Sequence, residues 1–135
     1  MANDKNKDNE KIIELYDEGI RYYYGRGVDQ NYQKAVEFWT KAAELENAQA
    51  QCCLGDCYAF GHGVNQDYFK AAAWYNKAAN KGYITAQYNL AVLYEKGQGV
   101  AVSYLLAAAW YGKAANAGHA DAKLALNSLK QRNLI

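Results

Sequence analysis

Apolar residues recur at helical spacing in seven stretches separated by short polar breaks. Ile12, Ile13, Leu15, Tyr16, Ile20 and Tyr23 open the series. The spacing predicts helices over about 10–24, 32–45, 48–60, 68–81, 84–96, 104–117 and 120–131. The pattern also repeats. Gly25-Arg26-Gly27-Val28, Gly61-His62-Gly63-Val64 and Gly97-Gln98-Gly99-Val100 lie 36 residues apart, and so do Ala35, Ala71 and Ala107. Phe38, Trp74 and Trp110 keep the same step, as do Trp39, Tyr75 and Tyr111. A fixed period in this range marks a stack of supersecondary units.

Local chemistry supports the breaks. Glycine takes the left-handed conformation after a helix end without a Cβ penalty. Asn31, Asp67 and Ser103 each stand six residues after the first glycine of a turn, and all are strong N-cap types. Gly82 and Gly118 end the second helix of later units. The first unit has Glu46 there, so the neighbouring Asn47 is expected to take the left-handed conformation in a less regular turn. Small residues at Ala35, Ala42, Ala71, Ala78, Ala107 and Ala114 allow paired helices to approach closely. The expected organisation is a charged, frayed tail over 1–9 and a repeat domain over 10–135. Its units are about 10–46, 47–82 and 83–118, and its closing helix is 119–131. The polar run Lys123, Asn127, Lys130 and Gln131 reads as a cap on that helix.

Composition narrows the function classes. Net charge is +1, from 15 basic and 14 acidic residues. That balance argues against a nucleic-acid surface, which needs a basic excess on one face. No apolar run approaches the roughly 18–20 residues that span a bilayer, so no membrane insertion is expected. Residues 1–9 are polar and lack the apolar core of a signal peptide, which points to the cytoplasm; removal of a leader, or export by a secretion system, would also fit. Cys52, Cys53 and Cys57 are three cysteines in one helical segment. Positions 53 and 57 are one turn apart, with Cβ atoms roughly 5–6 Å apart, beyond the ~3.5–4.5 Å of a disulfide. No disulfide is expected, and free thiols fit a reducing compartment.

Two longer motifs carry a family resemblance. They are Leu90-Ala91-x-x-Tyr94-x-x-Gly97-x-Gly99-Val100 and Asp67-Tyr68-x-Lys70-Ala71-x-x-Trp74-Tyr75-x-Lys77-Ala78-Ala79-x-x-Gly82. Over roughly residues 12–131 the chain resembles the Sel1-like repeat family, relatives of the tetratricopeptide repeats. The resemblance implies an all-α fold, a right-handed α/α solenoid of about three helix-turn-helix repeats plus a capping helix. It also implies a scaffold or adaptor that binds another protein or peptide in a concave groove lined by the first helix of each pair. The cysteine-rich branch of the family staples each pair with two cysteines eight residues apart. Here those positions hold Ala43 with Gln51, Ala79 with Gln87, and Ala115 with Lys123.

The resemblance also carries over groove-facing positions. The first helix gives Tyr16, Ile20, Tyr23 and Tyr24. The third gives Gln49, Cys52, Asp56, Ala59 and Phe60. The fifth gives Thr85, Tyr88, Val92, Glu95 and Lys96, and the closing helix Asp121, Leu124, Ser128, Gln131 and Arg132. Tyrosine dominates these rows; it buries a large area at low entropic cost and keeps a hydroxyl. The natural ligand is a partly apolar peptide or helix, with Tyr16, Tyr23, Tyr24, Phe60 and Tyr88 as anchors. A monomer or weak homodimer is expected. An exported effector or envelope protein acting on host or cell-wall components is the alternative role.

Catalytic and cofactor chemistry finds no foothold. Ser103 and Ser128 are the only serines, and neither begins a Ser-x-x-Lys motif. Cys57 and His62 straddle a helix end, and a nucleophile needs its base within hydrogen-bond reach. Cys53, Cys57 and His62 fall short of the four ligands of a structural zinc site. The Gly-x-Gly turns follow no strand and lack a third glycine, so they are not nucleotide loops. His62 is expected to be a surface turn residue, and Lys34, Lys41, Lys70, Lys77 and Lys113 a solvated face. No enzyme activity, metal or cofactor is expected.

Overall fold

The computed structural model describes residues 2–135. It contains seven helices and, among the described residues, no strand: α1 Ala2–Tyr24, α2 Tyr32–Glu44, α3 Ala48–Phe60, α4 Tyr68–Asn80, α5 Ile84–Lys96, α6 Tyr104–Asn116 and α7 Ala120–Gln131. Each helix packs on its neighbours in sequence, α1 on α2, α2 on α3 and so on to α7. This one-dimensional pattern of contacts defines an α/α solenoid of three pairs and a seventh helix.

The caps set the register. Asn31 Oδ1 accepts from the Lys34 amide, Asp67 Oδ1 from Lys70, and Ser103 Oγ from Leu106, at 3.0–3.1 Å. Gly61 and Gly97 close α3 and α5 in the left-handed conformation. The turn after α2 departs from expectation. Glu46 itself takes the left-handed conformation, at φ 68°, while Asn47 stays extended and caps α3 through the Ala50 amide. Glu46 thus does the job of Gly82 and Gly118, and the turn is as regular as theirs. Its carboxylate bonds Lys81 and Gln51, contacts that help hold an unfavoured backbone.

The start of α1 also differs. A frayed tail was expected over residues 1–9, yet the helix is continuous from Ala2; residue 1 lies outside the described residues. Residues 4–11 are exposed and free of glycine and proline, so nothing local breaks the helix.

Three apolar clusters stack along the solenoid, each spanning a helix pair and a neighbouring helix. Ala35, Ala42, Ala71, Ala78, Ala107 and Ala114 are fully buried at the helix contacts. Leu54 and Leu90 fill the space against the preceding pair. At the two ends the repeated positions turn polar: α1 has Glu18 where α3 and α5 have those leucines, and α7 has exposed Asn127 where they have buried Gly55 and Ala91.

Two devices were not visible beforehand. The side chain of Gln51 donates to the Ala43 carbonyl at 3.1 Å, and that of Gln87 to Ala79 at 3.2 Å. These are the eight-apart pairs that the cysteine-rich branch staples, so a buried hydrogen bond replaces the disulfide. On the outer surface Lys41, Lys77 and Lys113 place Nζ 5.8, 5.2 and 4.7 Å from the ring centroids of Phe38, Trp74 and Trp110. The recurrent lysines shield aromatic faces through cation–π contact.

Gly112 lies inside α6 with ordinary helical backbone, and a Cβ there would meet nothing within 4 Å. Gly112→Ala is therefore expected to stabilise the chain by about 0.5–1 kcal/mol, through lower unfolded-state entropy and higher helix propensity. The midpoint of urea unfolding checks this; a midpoint unchanged or lowered counts against it.

Candidate binding groove

The first helices of the three pairs present a common face, and two clefts open on it. One, of about 50 Å³, is lined by Ile20, Tyr23 and Tyr24 of α1, Trp39 of α2, and Cys53 and Asp56 of α3. The other, of about 240 Å³, is lined by residues of α3 to α5, among them Phe60, Tyr75, Tyr88, Asn89, Val92 and Lys96. Tyr24, Phe60 and Lys96 occupy equivalent positions at the ends of α1, α3 and α5. Tyr24 is 58% exposed and Phe60 66% exposed.

Of the positions the resemblance carries over, Ile20, Tyr23, Tyr24, Asp56, Phe60, Tyr88, Val92 and Lys96 line the cleft walls, and Ala59 is buried in the floor. Other members of those rows do not join them. Cys52 is buried in the core. Tyr16 leans toward Cys53 and Tyr83, with burial pushing its hydroxyl up to about 12. Gln49, Thr85, Asp121 and Leu124 are exposed and line neither cleft. Glu95 is committed elsewhere: Tyr111 donates to Oε1 at 2.8 Å and Arg132 pairs with Oε2 at 3.2 Å. Tyr88 stacks on His119, 4.5 Å between centroids, so its ring is a packed wall.

The second helices contribute more than expected. Trp39 and Tyr75 reach across their pairs over a glycine. A Cβ on Gly55 would stand 2.6 Å from the Tyr75 ring, and one on Gly19 would overlap the Trp39 indole. Each aromatic then satisfies its polar atom on the first helix. Trp39 Nε1 donates to the Tyr16 carbonyl at 3.1 Å, and the Tyr75 hydroxyl to Asp56 Oδ1 at 2.5 Å. Trp39, Tyr75 and Tyr111 recur at one step, and nothing in that spacing shows which side they reach.

His62 is a correction. It is not a free turn residue. Its ring stacks on Tyr32 at 4.5 Å, and its Nδ1 shares a 2.8 Å hydrogen bond with the Tyr23 hydroxyl. It ties the second turn to the first pair and braces the cleft wall. Tyr23 sits at the centre of this cluster, 4.9 Å from Tyr24, 4.9 Å from Tyr32 and 5.2 Å from Trp39. Burial, with Cys57 and Tyr32 nearby, pushes its hydroxyl up to about 12.

The cysteines are not activated as nucleophiles. Burial pushes the Cys53 and Cys57 thiols up to about 12 and Cys52 higher still. A reactive cysteine needs the opposite, a stabilised thiolate. Asp56 is also raised above its ordinary value by burial, against the pull of the Tyr75 hydrogen bond and of His62. Among the described residues no group of His, Cys, Asp or Glu could hold a metal ion, and no helix is long and apolar enough to cross a membrane.

The comparisons agree with this architecture. Residues 16–47, 48–83 and 84–119 each match the Sel1 repeat model. The chain is 40% identical to a Sel1 repeat protein from Oxalobacter formigenes, over 93% of this chain and 94% of that one, at a TM-score of 0.81. It is 34% identical, at a TM-score of 0.90, to a protective antigen of uropathogenic Escherichia coli strains that displays an SLR fold. That match covers 93% of this chain and only 27% of the antigen. Helicobacter pylori cysteine rich protein B is 29% identical, over 86% of this chain and 92% of that one, at a TM-score of 0.68. A search of curated proteins finds no match. Sel1 repeat proteins are generally protein–protein interaction scaffolds, and the repeat is generally a non-catalytic fold. With three consecutive repeats filling most of its length, the chain belongs to the Sel1 repeat family.

Proposed function

We propose that the chain is a non-enzymatic adaptor that holds a partly apolar protein segment along α1, α3 and α5. The observation that carries this is the pair Tyr24 and Phe60. They are large, well exposed, at equivalent positions on successive first helices, and each borders a cleft. Repeats that stack along one axis create extended surfaces suited to a linear segment, and exposed aromatic rings beside preformed clefts are the usual anchors of such contacts. Chemistry has no comparable support, since all three thiols are pushed up by burial, including Cys53 on the cleft wall. The free thiols Cys52, Cys53 and Cys57 favour a reducing compartment.

The test is a crosslinking pull-down from the native cell with wild type and the double variant Tyr24→Ala/Phe60→Ala. Both side chains are largely exposed, so the melting temperature should hold while partner capture falls by roughly thirty-fold or more. Undiminished capture by a folded double variant removes the groove from the account. An exported role on host or cell-wall components is the second reading, favoured by the likeness to the Escherichia coli antigen. Fractionation of the native cell decides it: protein confined to the cytosol ends that reading.

A further inference from the structure

We propose that the segment held in the groove carries a lysine or arginine whose side chain pairs with Asp56, with apolar side chains on either side of it. This rests on the groove reading above and names the chemistry of its partner. Asp56 stands where the two clefts meet. It lines the first, while the residues bonded to it, Tyr75 and Asn89, line the second. A segment crossing from one cleft to the other passes over this carboxylate.

The carboxylate is only half used. Tyr75 and Asn89 both donate to Oδ1, at 2.5 and 3.3 Å. Oδ2 accepts from no described residue, and it is not fully enclosed, because no buried side-chain oxygen among the described residues lacks a partner. Nor does Asp56 have a counter-ion. The salt bridges among the described residues go to Glu18, Glu46 and Glu95. Glu95 is the contrast on the same face, with both oxygens occupied. His62, which acts on the Asp56 carboxyl, shares its Nδ1 with Tyr23.

The repeat does not fix an acid at this place, although here Asp56 accepts from the Tyr75 hydroxyl. The equivalent positions of the neighbouring copies are Ile20 and Val92. A partly desolvated carboxylate without a counter-ion works against stability. The Tyr75 hydroxyl offsets part of that cost, and a partner that supplies the missing charge offsets more, since a charge pair in a partly desolvated site is worth more than one on open surface. The surroundings suit a long cationic side chain. Tyr23, Tyr24 and Trp39 wall the approach from the first cleft, offering apolar surface to its methylenes, while Arg26 already lies over the Tyr24 ring.

The probe is a set of fluorescent, end-blocked nonapeptide pools. The central residue is fixed as Lys, Arg, norleucine or Glu, and the flanks are drawn from Ala, Leu, Ile, Phe, Tyr and Ser. Each pool is titrated against the full chain as wild type, as Asp56→Asn and as Tyr24→Ala/Phe60→Ala. Asparagine keeps the size of the side chain and an acceptor for Tyr75; thermal melting verifies each fold. The wild type is expected to bind the Lys and Arg pools roughly thirty-fold more tightly than the norleucine pool, and the Glu pool least. Asp56→Asn should erase that preference and bring the Lys, Arg and norleucine pools to a common affinity. Equal binding of Lys, Arg and norleucine pools by the wild type, or a preference that survives Asp56→Asn, overturns the proposal and leaves the groove standing. Binding absent from every pool, or indifferent to Tyr24→Ala/Phe60→Ala, overturns the groove reading and the proposal with it.

Discussion

Gly99→Ala will destabilise the chain by about 3 kcal/mol or more, while the same exchange at Gly27 will cost only about 1–2 kcal/mol. The two glycines hold the same place in the turn and nearly the same backbone, φ 71° and 72°. Left-handed strain is therefore common to both variants. Their surroundings differ. A Cβ on Gly99 would run into the carbonyl of Tyr68 and the amide of Phe69, the first turn of α4. Backbone in a capped helix cannot step aside as a side-chain tip can, so the two pairs must separate. Gly63 stands in the same relation to α2, with a Cβ placed 2.6 Å from the Tyr32 carbonyl oxygen, and Gly63→Ala should match Gly99→Ala. At Gly27 the described residues place no pair against the turn, and the nearest atom is an Arg21 guanidinium nitrogen at 3.9 Å. Urea unfolding of the three variants, followed by circular dichroism, measures the difference. Equal losses at Gly27 and Gly99 would mean that the second glycine serves the turn alone.

That contrast also shows where the sequence stops informing. The periodicity and caps locate seven helices to within a residue at nearly every end, because capping and glycine turns are local chemistry. The second glycine of each turn reads as part of the same cap. Its close approach to the preceding pair is a contact between repeats, and spacing within one turn carries no trace of it. Glu46 misleads for a related reason: Asn47 looks like the better left-handed residue, but it is already engaged as the N-cap of α3. The groove divides in the same way. The family resemblance assigns Ile20, Tyr24, Asp56 and Phe60 to one face, and all four line the two clefts. It cannot show that Trp39 and Tyr75 cross from the second helices, that the Arg132 guanidinium occupies Glu95, or that His62 is held by Tyr23 and Tyr32. Those depend on which side chain reaches which across a gap between elements.

Tyr75 is where fold and site are most closely joined, and shortening it should be the most damaging single change near the groove. The ring is 3% exposed and packed on Gly55. Tyr75→Ala is expected to cost about 3–5 kcal/mol, from lost burial and the cavity left behind. Tyr75→Phe keeps the ring and removes only the hydroxyl that donates to Asp56, for an expected loss of about 1.5–3 kcal/mol at neutral pH. The pH dependence separates the two contributions. Burial already holds the Asp56 carboxyl above its ordinary value of 3.8, and the Tyr75 hydrogen bond is the leading influence pulling it down. A raised carboxyl takes up a proton on folding, so its stabilising share is present below 3.8 and lost as pH rises through the folded value. Tyr75→Phe lifts that folded value further and enlarges the loss at neutral pH. The gap between Tyr75→Phe and wild type should therefore be widest near pH 7 and narrow as the pH falls toward 3.8, while the cavity part of Tyr75→Ala persists throughout. Unfolding midpoints of the three proteins across that range provide the measurement. A gap for Tyr75→Phe that stays constant with pH would show that the hydroxyl does not support an ionised Asp56, and would remove the physical basis for a charged site at the meeting of the two clefts.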